Sequence, residues 1–283
     1  MSINLDLIGT STDPLEASWS EFDVQLYAMG VGAGQNPLVE IDLAVEDSSA
    51  GRLRAIPTHA LVLAQKSTRL WGAFGDYSPS AAVHARQTLE ALQPWPTSGT
   101  ATLTSTVVDM FEAGKNAIIV TDTTGVDERG EPLFTARRWV LVRGEGGFGG
   151  QSAPDHDWKP PHSSPDHTAV LSIRPEQALL YRLCGDRNPM HADPEYARRA
   201  GFDVPILHGL CTLGFAARAL MRDGMQLKFI DGRFRAPVTP GDDLVLLDWH
   251  EGGDHWFEVR LPDGRVAIDR GRARLTSGIR EHV

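Results

Sequence analysis

The segment from residue 208 to residue 222 constrains the fold of this chain more than any other. It reads His-Gly-Leu-Cys-Thr-Leu-Gly-Phe-Ala-Ala-Arg-Ala-Leu-Met-Arg, in which only Arg218 and Arg222 carry a charge. The sequence predicts a helix that is apolar on nearly every side, and a helix of this kind is buried. The neighbouring elements therefore have to wrap around it.

Strand-like segments follow this helix, at residues 226–234, 243–250, 255–261 and 266–275. The turn Pro262-Asp-Gly-Arg between the last two predicts a hairpin. The first half of the chain repeats the order. We expect a helix within residues 20–34, with Ser20 as its N-cap and Phe22, Leu26 and Met29 at helical spacing, and an apolar helix from Thr58 to Trp71. Strands are predicted at residues 100–111, 116–124 and 133–142.

Short echoes support a duplication, for example Leu26-Tyr27 against Leu180-Tyr181. Each half is thus predicted to be a central helix followed by antiparallel strands. This order indicates an α+β fold in which a sheet curls around one helix, the hot-dog architecture, present here as a tandem double hot-dog.

Residues 149–168 are rich in Pro, Ser, Gly and Asp, which is the composition of a linker. We therefore expect an N-terminal domain at 1–150, a linker at 151–168 and a C-terminal domain at 169–283. The linker histidines His156, His162 and His167 alternate with acids. A metal site is compatible with that pattern, but a solvated linker is the favoured interpretation because no rigid element is predicted to hold the ligands.

Composition narrows the function classes. The chain of 283 residues has a net charge of -10, which argues against nucleic-acid binding. None of its segments approaches the roughly 18 consecutive apolar residues of a membrane span. The N-terminus has no basic region before an apolar run, so no signal peptide is predicted. Cys184 and Cys211 have no metal-site spacing and suit a reducing compartment, so we expect a cytoplasmic protein.

Polar side chains that can take part in acid/base chemistry are concentrated in residues 181–194, Tyr-Arg-Leu-Cys-Gly-Asp-Arg-Asn-Pro-Met-His-Ala-Asp-Pro. Asp186, Asn188, His191 and Asp193 fall within eight residues of a loop stiffened by proline and glycine. Gly209 then opens the buried helix, whose free N–H groups favour an anion. An acid/base pair beside such a helix start is suited to proton transfer next to a developing negative charge.

Three other interpretations of these motifs compete with this one. Asp186 and Asn188 could simply satisfy the backbone of a turn. The same loop resembles a set of hard metal ligands, but it lacks the glycine and bidentate glutamate of a calcium loop, and we expect no metal there. Gly144-Glu-Gly-Gly-Phe-Gly149 matches a dinucleotide-binding pattern, but a proline-rich linker follows it in place of a helix.

Residues 179–222 resemble the hydratase-2 motif of the MaoC-like (R)-specific 2-enoyl-CoA hydratases. Phe234-Arg-Ala-Pro-Val-Thr-Pro-Gly-Asp-Asp-Leu is similar to the strand that follows the central helix in that family. Tyr27-Ala-Met-Gly-Val-Gly-Ala and Gln65-Lys66 resemble the first half of its two-domain members. Met190 and Ala192 depart mildly from the motif, where bulkier aliphatic residues are usual.

The resemblance implies particular roles. Asp186 and His191 would be the catalytic pair, Asn188 would orient the loop or the water, and the N–H of Gly209 would be the oxyanion donor. The first half has Gly32-Ala-Gly-Gln-Asn-Pro in place of the motif, which implies that it houses the acyl chain. His208 is interpreted as structural, and Asp193 as a loop or cap residue. Trp71, Phe74 and Tyr77 are candidates for the wall of an acyl tunnel, and packing in the core explains these three aromatics equally well.

The implied activity is hydration of trans-2-enoyl-CoA to (3R)-hydroxyacyl-CoA, reversible as a dehydration, in the oxidation of fatty acids or of a steroid side chain. We expect no cofactor beyond the coenzyme A of the substrate, no membrane partner, and a homodimer. Alternatives are a dehydratase of acyl-carrier-protein thioesters and a non-catalytic acyl-CoA-binding module. None of the candidate phosphate-binding cations is assigned a role: Lys66, Lys115, Lys228, Arg233 and Arg235.

Overall fold

The computed structural model describes residues 3–36, 38–49, 51–68, 77–78, 81–154 and 158–277. Its helices are α1 (Glu21–Gly30), α2 (His59–Ser67), α3 (Gln177–Tyr181), α4 (Pro194–Arg199) and α5 (Gly209–Leu220). Its strands are β1 (Leu15–Trp19), β2 (Asp47–Ser48), β3 (Gly51–Arg52), β4 (Ala82–Ala91), β5 (Gly99–Ala113), β6 (Asn116–Asp127), β7 (Pro132–Val142), β8 (His167–Ser172), β9 (Gln226–Phe234), β10 (Asp243–Glu251), β11 (Asp254–Arg260) and β12 (Val266–Thr276).

One ten-stranded sheet runs through the molecule in the order β1-β5-β6-β7-β4-β9-β12-β11-β10-β8. All of its strand pairs are antiparallel. Strands of the first half occupy one side of the sheet, strands of the second half occupy the other, and β4 pairs with β9 where they meet. Helix α2 packs against β1, β5, β6 and β7, and α5 packs against β8, β9 and β12.

Helix α5 is buried, as its sequence predicts. Nine of its 12 residues are buried, among them Phe215 and Leu220. Gly214 permits this packing, because a Cβ atom there would lie 2.5 Å from Cγ1 of Val31. The central helix of the second half is thus in direct contact with the chain that follows α1.

Helix α1 begins after Ser20, whose backbone N–H and hydroxyl both donate to Asp23, and the predicted N-cap is confirmed. The predicted apolar face of this helix is wrong, because Phe22 and Met29 are exposed. The helix instead buries Val24, Tyr27, Ala28 and Gly30, and the Tyr27 ring lies against that of Tyr181 with 6.0 Å between centroids. The two echoed tyrosines therefore meet at the contact between the halves.

Charged groups reinforce the β4–β9 junction. Arg86 on β4 donates two hydrogen bonds to the carboxylate of Asp231 on β9, at 2.8 and 2.5 Å. The Asp231 side chain is only 5% exposed. Removing one partner of a buried pair leaves an uncompensated charge, so this ion pair ties the two halves together.

Five strands were not predicted from the sequence: β1, β4 and β8 of the large sheet, and the short pair β2 and β3. Strand β8 begins at His167, inside the range 151–168 expected to be linker, and Trp158 in the same range stacks on Trp256 with 5.1 Å between ring centroids. His167 is therefore held in a sheet, and the expectation that it belongs to a solvated linker is wrong. Several predicted features lie outside the described residues: His156, Trp71, Phe74 and the end of the helix predicted to reach Trp71.

Among the helices of the described residues, none is long and apolar enough to cross a bilayer.

Candidate active site

A cavity of about 550 Å³ lies between the two halves and receives residues from both. Its first-half wall comes from the end of α2, from β4 and from β7, and includes Thr68, His84 and Arg138. Its second-half wall comes from the loop after α3, the start of α5, and the segment that follows β9. Asp186, Asn188, His191 and Gly209 all line it, so the structure brings the four predicted residues together on one wall.

The loop between α3 and α4 owes its shape to its turn residues. Gly185 has a φ of +139°, and a Cβ atom there would lie 3.0 Å from Cγ1 of Val62 on α2. Asp186 Oδ1 accepts a hydrogen bond from the backbone N–H of Asn188, and Asn188 Oδ1 accepts one from Met190. The turn-forming role weighed for these residues is thus present, and it fixes both side chains at the cavity wall.

Asp193 has a separate task. Its Oδ1 accepts hydrogen bonds from the backbone N–H groups of Glu195 and Tyr196, which makes it the N-cap of α4. The predicted cap role is confirmed.

His191 is held in one tautomer by the backbone. Its Nδ1 lies 2.8 Å from the carbonyl oxygen of Ile206. A carbonyl only accepts, so Nδ1 carries the proton and Nε2 of the neutral ring has a free lone pair. Burial lowers the pKa of His191 below its ordinary value, against the opposing effects of the Ile206 hydrogen bond and the Asp186 charge. The ring is therefore neutral at pH 7 and able to accept a proton.

His208 supports the same ring and the same loop. Its ring lies against that of His191 with 3.8 Å between centroids, and its Nε2 donates to the backbone oxygen of Asp186 at 3.2 Å. Burial, followed by the neighbouring His191 ring, holds its pKa well below the ordinary value. A neutral His208 adds no positive charge beside His191, and its contacts are those of a positioning residue, in agreement with the structural interpretation.

Gly209 is the first residue of α5, with His208 as the N-cap. Its backbone N–H belongs to the first turn, where the N–H groups have no partner within the helix. A glycine fits this position because a Cβ atom would lie only 3.2 Å from the ring of Phe234. The helix start is therefore available to an anion in the cavity beside Asp186 and His191.

The sequence prediction missed Arg138 and His84. Burial lowers the pKa of Arg138 to about 10, while the charge of Asp186 works in the opposite direction, so the guanidinium is a cation electrostatically linked to Asp186. The sequence contained a signal for Arg138. On a strand at 133–142, Arg138 lies on the same face as the apolar Ala136 and Val140, so it is a charged residue on the buried face. His84 had no such signal, since β4 itself was not predicted.

Of the cations considered for the coenzyme A phosphates, Arg235 lines the cavity. Arg233 is held by Asp269 through hydrogen bonds of 2.6 and 2.7 Å. Arg235 lies 3.4 Å from the same carboxylate and is 56% exposed, which leaves it at the cavity rim. Tyr77 also lines the cavity, whereas Trp71 and Phe74 lie outside the described residues.

Comparison with known proteins shows what the chain is similar to. The profile of the "MaoC like domain" matches residues 157–269, and that of the "MFE-2 hydratase 2 N-terminal domain" matches residues 18–144. The chain is 37% identical to enoyl-CoA hydratase ChsH3 of Mycobacterium tuberculosis, over 99% of this chain and 98% of that protein. It is 36% identical to 3-hydroxyacyl-thioester dehydratase Y of the same organism, over 98% of this chain and 100% of that protein.

Solved structures agree with the fold. A MaoC-like dehydratase from Phytophthora capsici has a TM-score of 0.86 and 28% identity, over 99% of this chain and 100% of that one. A Mycobacterium tuberculosis protein described as having a double hot-dog fold superposes with a TM-score of 0.60 at 15% identity, over 95% of this chain and 96% of that one. The predicted α+β double hot-dog fold is confirmed.

Proposed function

Because the chain belongs to the MaoC-like hydratase 2 family, we propose that it is an enzyme that adds water to trans-2-enoyl-CoA and forms (3R)-hydroxyacyl-CoA. One observation carries the proposal: a carboxylate, a neutral histidine with a free Nε2 and a helix N-terminus line the same cavity. Two relatives of nearly full coverage are named enoyl-CoA hydratase and hydroxyacyl-thioester dehydratase, which are the two directions of this reaction.

The reaction needs a base, an acid and an anion site. A water molecule held by Asp186 and His191 loses a proton to the pair as its oxygen forms a bond to C3. The C2=C3 electrons move onto the thioester oxygen, and the N–H of Gly209 stabilises the resulting enolate. The electrons then return as C2 takes a proton from the pair, so water is added with no net oxidation or reduction. A general acid/base pair of this kind contributes about 10²–10⁴-fold to the rate.

The remaining features of the proposal follow from this chemistry. The reaction requires no redox cofactor, and coenzyme A enters as part of the substrate. The first half supplies the cavity wall from α2, β4 and β7, which suits it to house the acyl chain of a fatty acid or a steroid side chain. The free thiols of Cys184 and Cys211 suit the cytoplasm. We also propose a homodimer, for which a mass twice the 30.9 kDa of the chain is the expected result of light scattering.

The test is turnover of crotonyl-CoA by the purified protein, followed by a panel of longer and steroidal enoyl-CoA thioesters. We expect hydration, and a product that an (S)-specific 3-hydroxyacyl-CoA dehydrogenase does not oxidise. Absence of turnover across the panel contradicts the enzyme proposal and favours a binding module. Rapid oxidation of the product contradicts the (R) configuration.

A second candidate is dehydration of 3-hydroxyacyl groups carried by acyl carrier protein. It is favoured by the relative named a 3-hydroxyacyl-thioester dehydratase, a name that does not specify the thiol. The same acyl group offered on coenzyme A and on the carrier protein separates the two candidates. A higher kcat/KM for the coenzyme A thioester supports the main proposal, and the reverse order supports the second.

A further inference from the structure

A second group of titratable side chains lies near the C-terminal end of α5, away from the cavity. Asp248 and His250 are two residues apart on β10, so both point to the same side of the sheet. His255 on β11 is the cross-strand partner of His250, and His167 on β8 is the cross-strand partner of Asp248. Directly opposed residues project to one face, so three adjacent strands direct three imidazoles and a carboxylate to one place.

The distances fit a bound cation. His250 Nε2 lies 3.0 Å from Asp248 Oδ2, and His255 Nδ1 lies 3.1 Å from the same oxygen. One ligand atom from each of these residues lies within 4.8 Å of the others. Ligands bound tetrahedrally to zinc at about 2.0–2.1 Å are about 3.3 Å apart. The three groups therefore need only a small movement to bind one ion.

His167 lies outside the group of three ligand atoms that are within 4.8 Å of one another, so its ring has to move toward them to become a fourth ligand. Its Nδ1 is buried and has no hydrogen-bond partner in the described part of the chain. An imidazole nitrogen left in this state costs free energy, and a metal ion between β8 and β10 gives it a partner. Three imidazoles and one carboxylate form a donor set that zinc accepts.

The competing explanation is a hydrogen-bonded network that neutralises a buried carboxylate. The Asp248 side chain is fully buried, and Nη1 of Arg222 lies 3.3 Å from its Oδ2. Arg222 therefore supplies one positive charge already. Its contact is at the long end of the hydrogen-bond range, and the network leaves His167 Nδ1 without a partner. Arg222 follows directly after the C-terminal cap of α5, where the helix dipole favours a cation.

We propose that His167, Asp248, His250 and His255 form a binding site for one divalent zinc-type ion. The ion joins the edge strand β8 to the β10–β11 hairpin at the C-terminal end of α5. The 12-residue helix places this end roughly 18 Å from Gly209, so the ion is structural and takes no part in the reaction. The proposal is independent of the proposed function.

The test is zinc titration of the EDTA-treated full-length protein by calorimetry, with metal content measured after dialysis. We expect one zinc per chain and a rise in Tm on zinc addition. His250→Ala, at a half-exposed position, and His255→Ala are expected to weaken binding at least tenfold. The matched control is His162→Ala, an exposed linker histidine outside the cluster, which should bind zinc as the parent does.

Arg222→Ala distinguishes the two explanations. If Arg222 competes with the ion, this variant binds zinc more tightly than the parent. No zinc binding by the parent, or equal binding by the parent, His250→Ala and His255→Ala, overturns the proposal. Circular dichroism of each variant establishes that it is folded. Crotonyl-CoA turnover by the EDTA-treated parent should equal that of the zinc-bound protein, and dependence on zinc overturns the structural role.

Discussion

At the scale of single residues, the neutral state of His191 is the property on which the proposed chemistry depends. The ring is neutral because it is buried, and the Ile206 carbonyl fixes which nitrogen accepts a proton. The sequence predicted that Asp186 and His191 lie close together, since they are five positions apart in one stiff loop. It could not predict the tautomer, because Ile206 belongs to a different segment and its carbonyl direction depends on the folded chain.

The pH dependence follows from that state. A base is active when unprotonated, and burial places the pKa of His191 below 6.5. We therefore expect kcat/KM for hydration to be constant from neutral pH down to about pH 6.5 and to fall only below it. The fall in kcat/KM reports the protonation of His191 in the free enzyme. Measurements of kcat/KM from pH 5 to pH 8 test this, and a decline that begins above pH 7 contradicts it.

Gly209→Ala tests the helix start. The added Cβ atom lies 3.2 Å from the ring of Phe234, so the helix start or the ring has to shift by a few tenths of an ångström. A displaced oxyanion donor lowers kcat, by roughly tenfold for a shift of this size, with little change in KM. The double variant Gly209→Ala with Phe234→Leu should recover part of the rate. Unchanged kcat in the single variant argues against the donor role.

At the scale of elements, the sequence indicated the strands whose patterns are apolar, including β7 of the cavity wall, and failed on β4, which also lines the cavity. Strand β4 contains His84, Arg86 and Gln87, and its polar residues hide the alternation that predicts a strand. The strand lies in the middle of the sheet between β7 and β9, so tertiary pairing determines its conformation. The first two residues of β8, His167 and Thr168, were assigned to the linker because they follow a Pro- and Ser-rich segment.

The junction of β4 and β9 provides a stability test. Asp231→Ala leaves the partly buried Arg86 without its carboxylate, which should lower the free energy of unfolding by about 3 kcal/mol. The matched control is Asp122→Ala, which removes a comparable two-bond contact with Arg137 at a more exposed position. It should cost less than about 1 kcal/mol. Urea unfolding measures both, and equal effects contradict the assigned importance of the junction.

At the scale of the whole molecule, several histidines are buried in the neutral form, and this makes the fold sensitive to acid. Burial lowers the pKa of His59 to about 4, and it also lowers those of His84, His191 and His208. Protons bind the unfolded histidines near pH 6.5 but the folded ones only at lower pH. Their contribution to stability is therefore complete above pH 6.5 and is lost as pH falls toward the folded-state pKa.

The size of the effect is measurable. His59 alone should cost about 2 kcal/mol between pH 7.5 and pH 5. We expect the urea midpoint of the whole protein to fall markedly over this interval. In the exposed-histidine variant His162→Gln the fall should be the same as in the parent. A midpoint that is equal at the two pH values contradicts the buried neutral state of these side chains.

The measurement that tests the central claim most directly is the rate of crotonyl-CoA hydration by three variants of one loop. Asp186→Asn and His191→Ala remove the proposed acid/base pair, and each should lower kcat by about 10²-fold or more. Asp193→Asn removes a carboxylate from the same loop but retains a residue that caps α4, so its rate should stay within about twofold of the parent. If Asp186→Asn and His191→Ala, folded by circular dichroism, turn over crotonyl-CoA as fast as Asp193→Asn, the proposed mechanism is wrong.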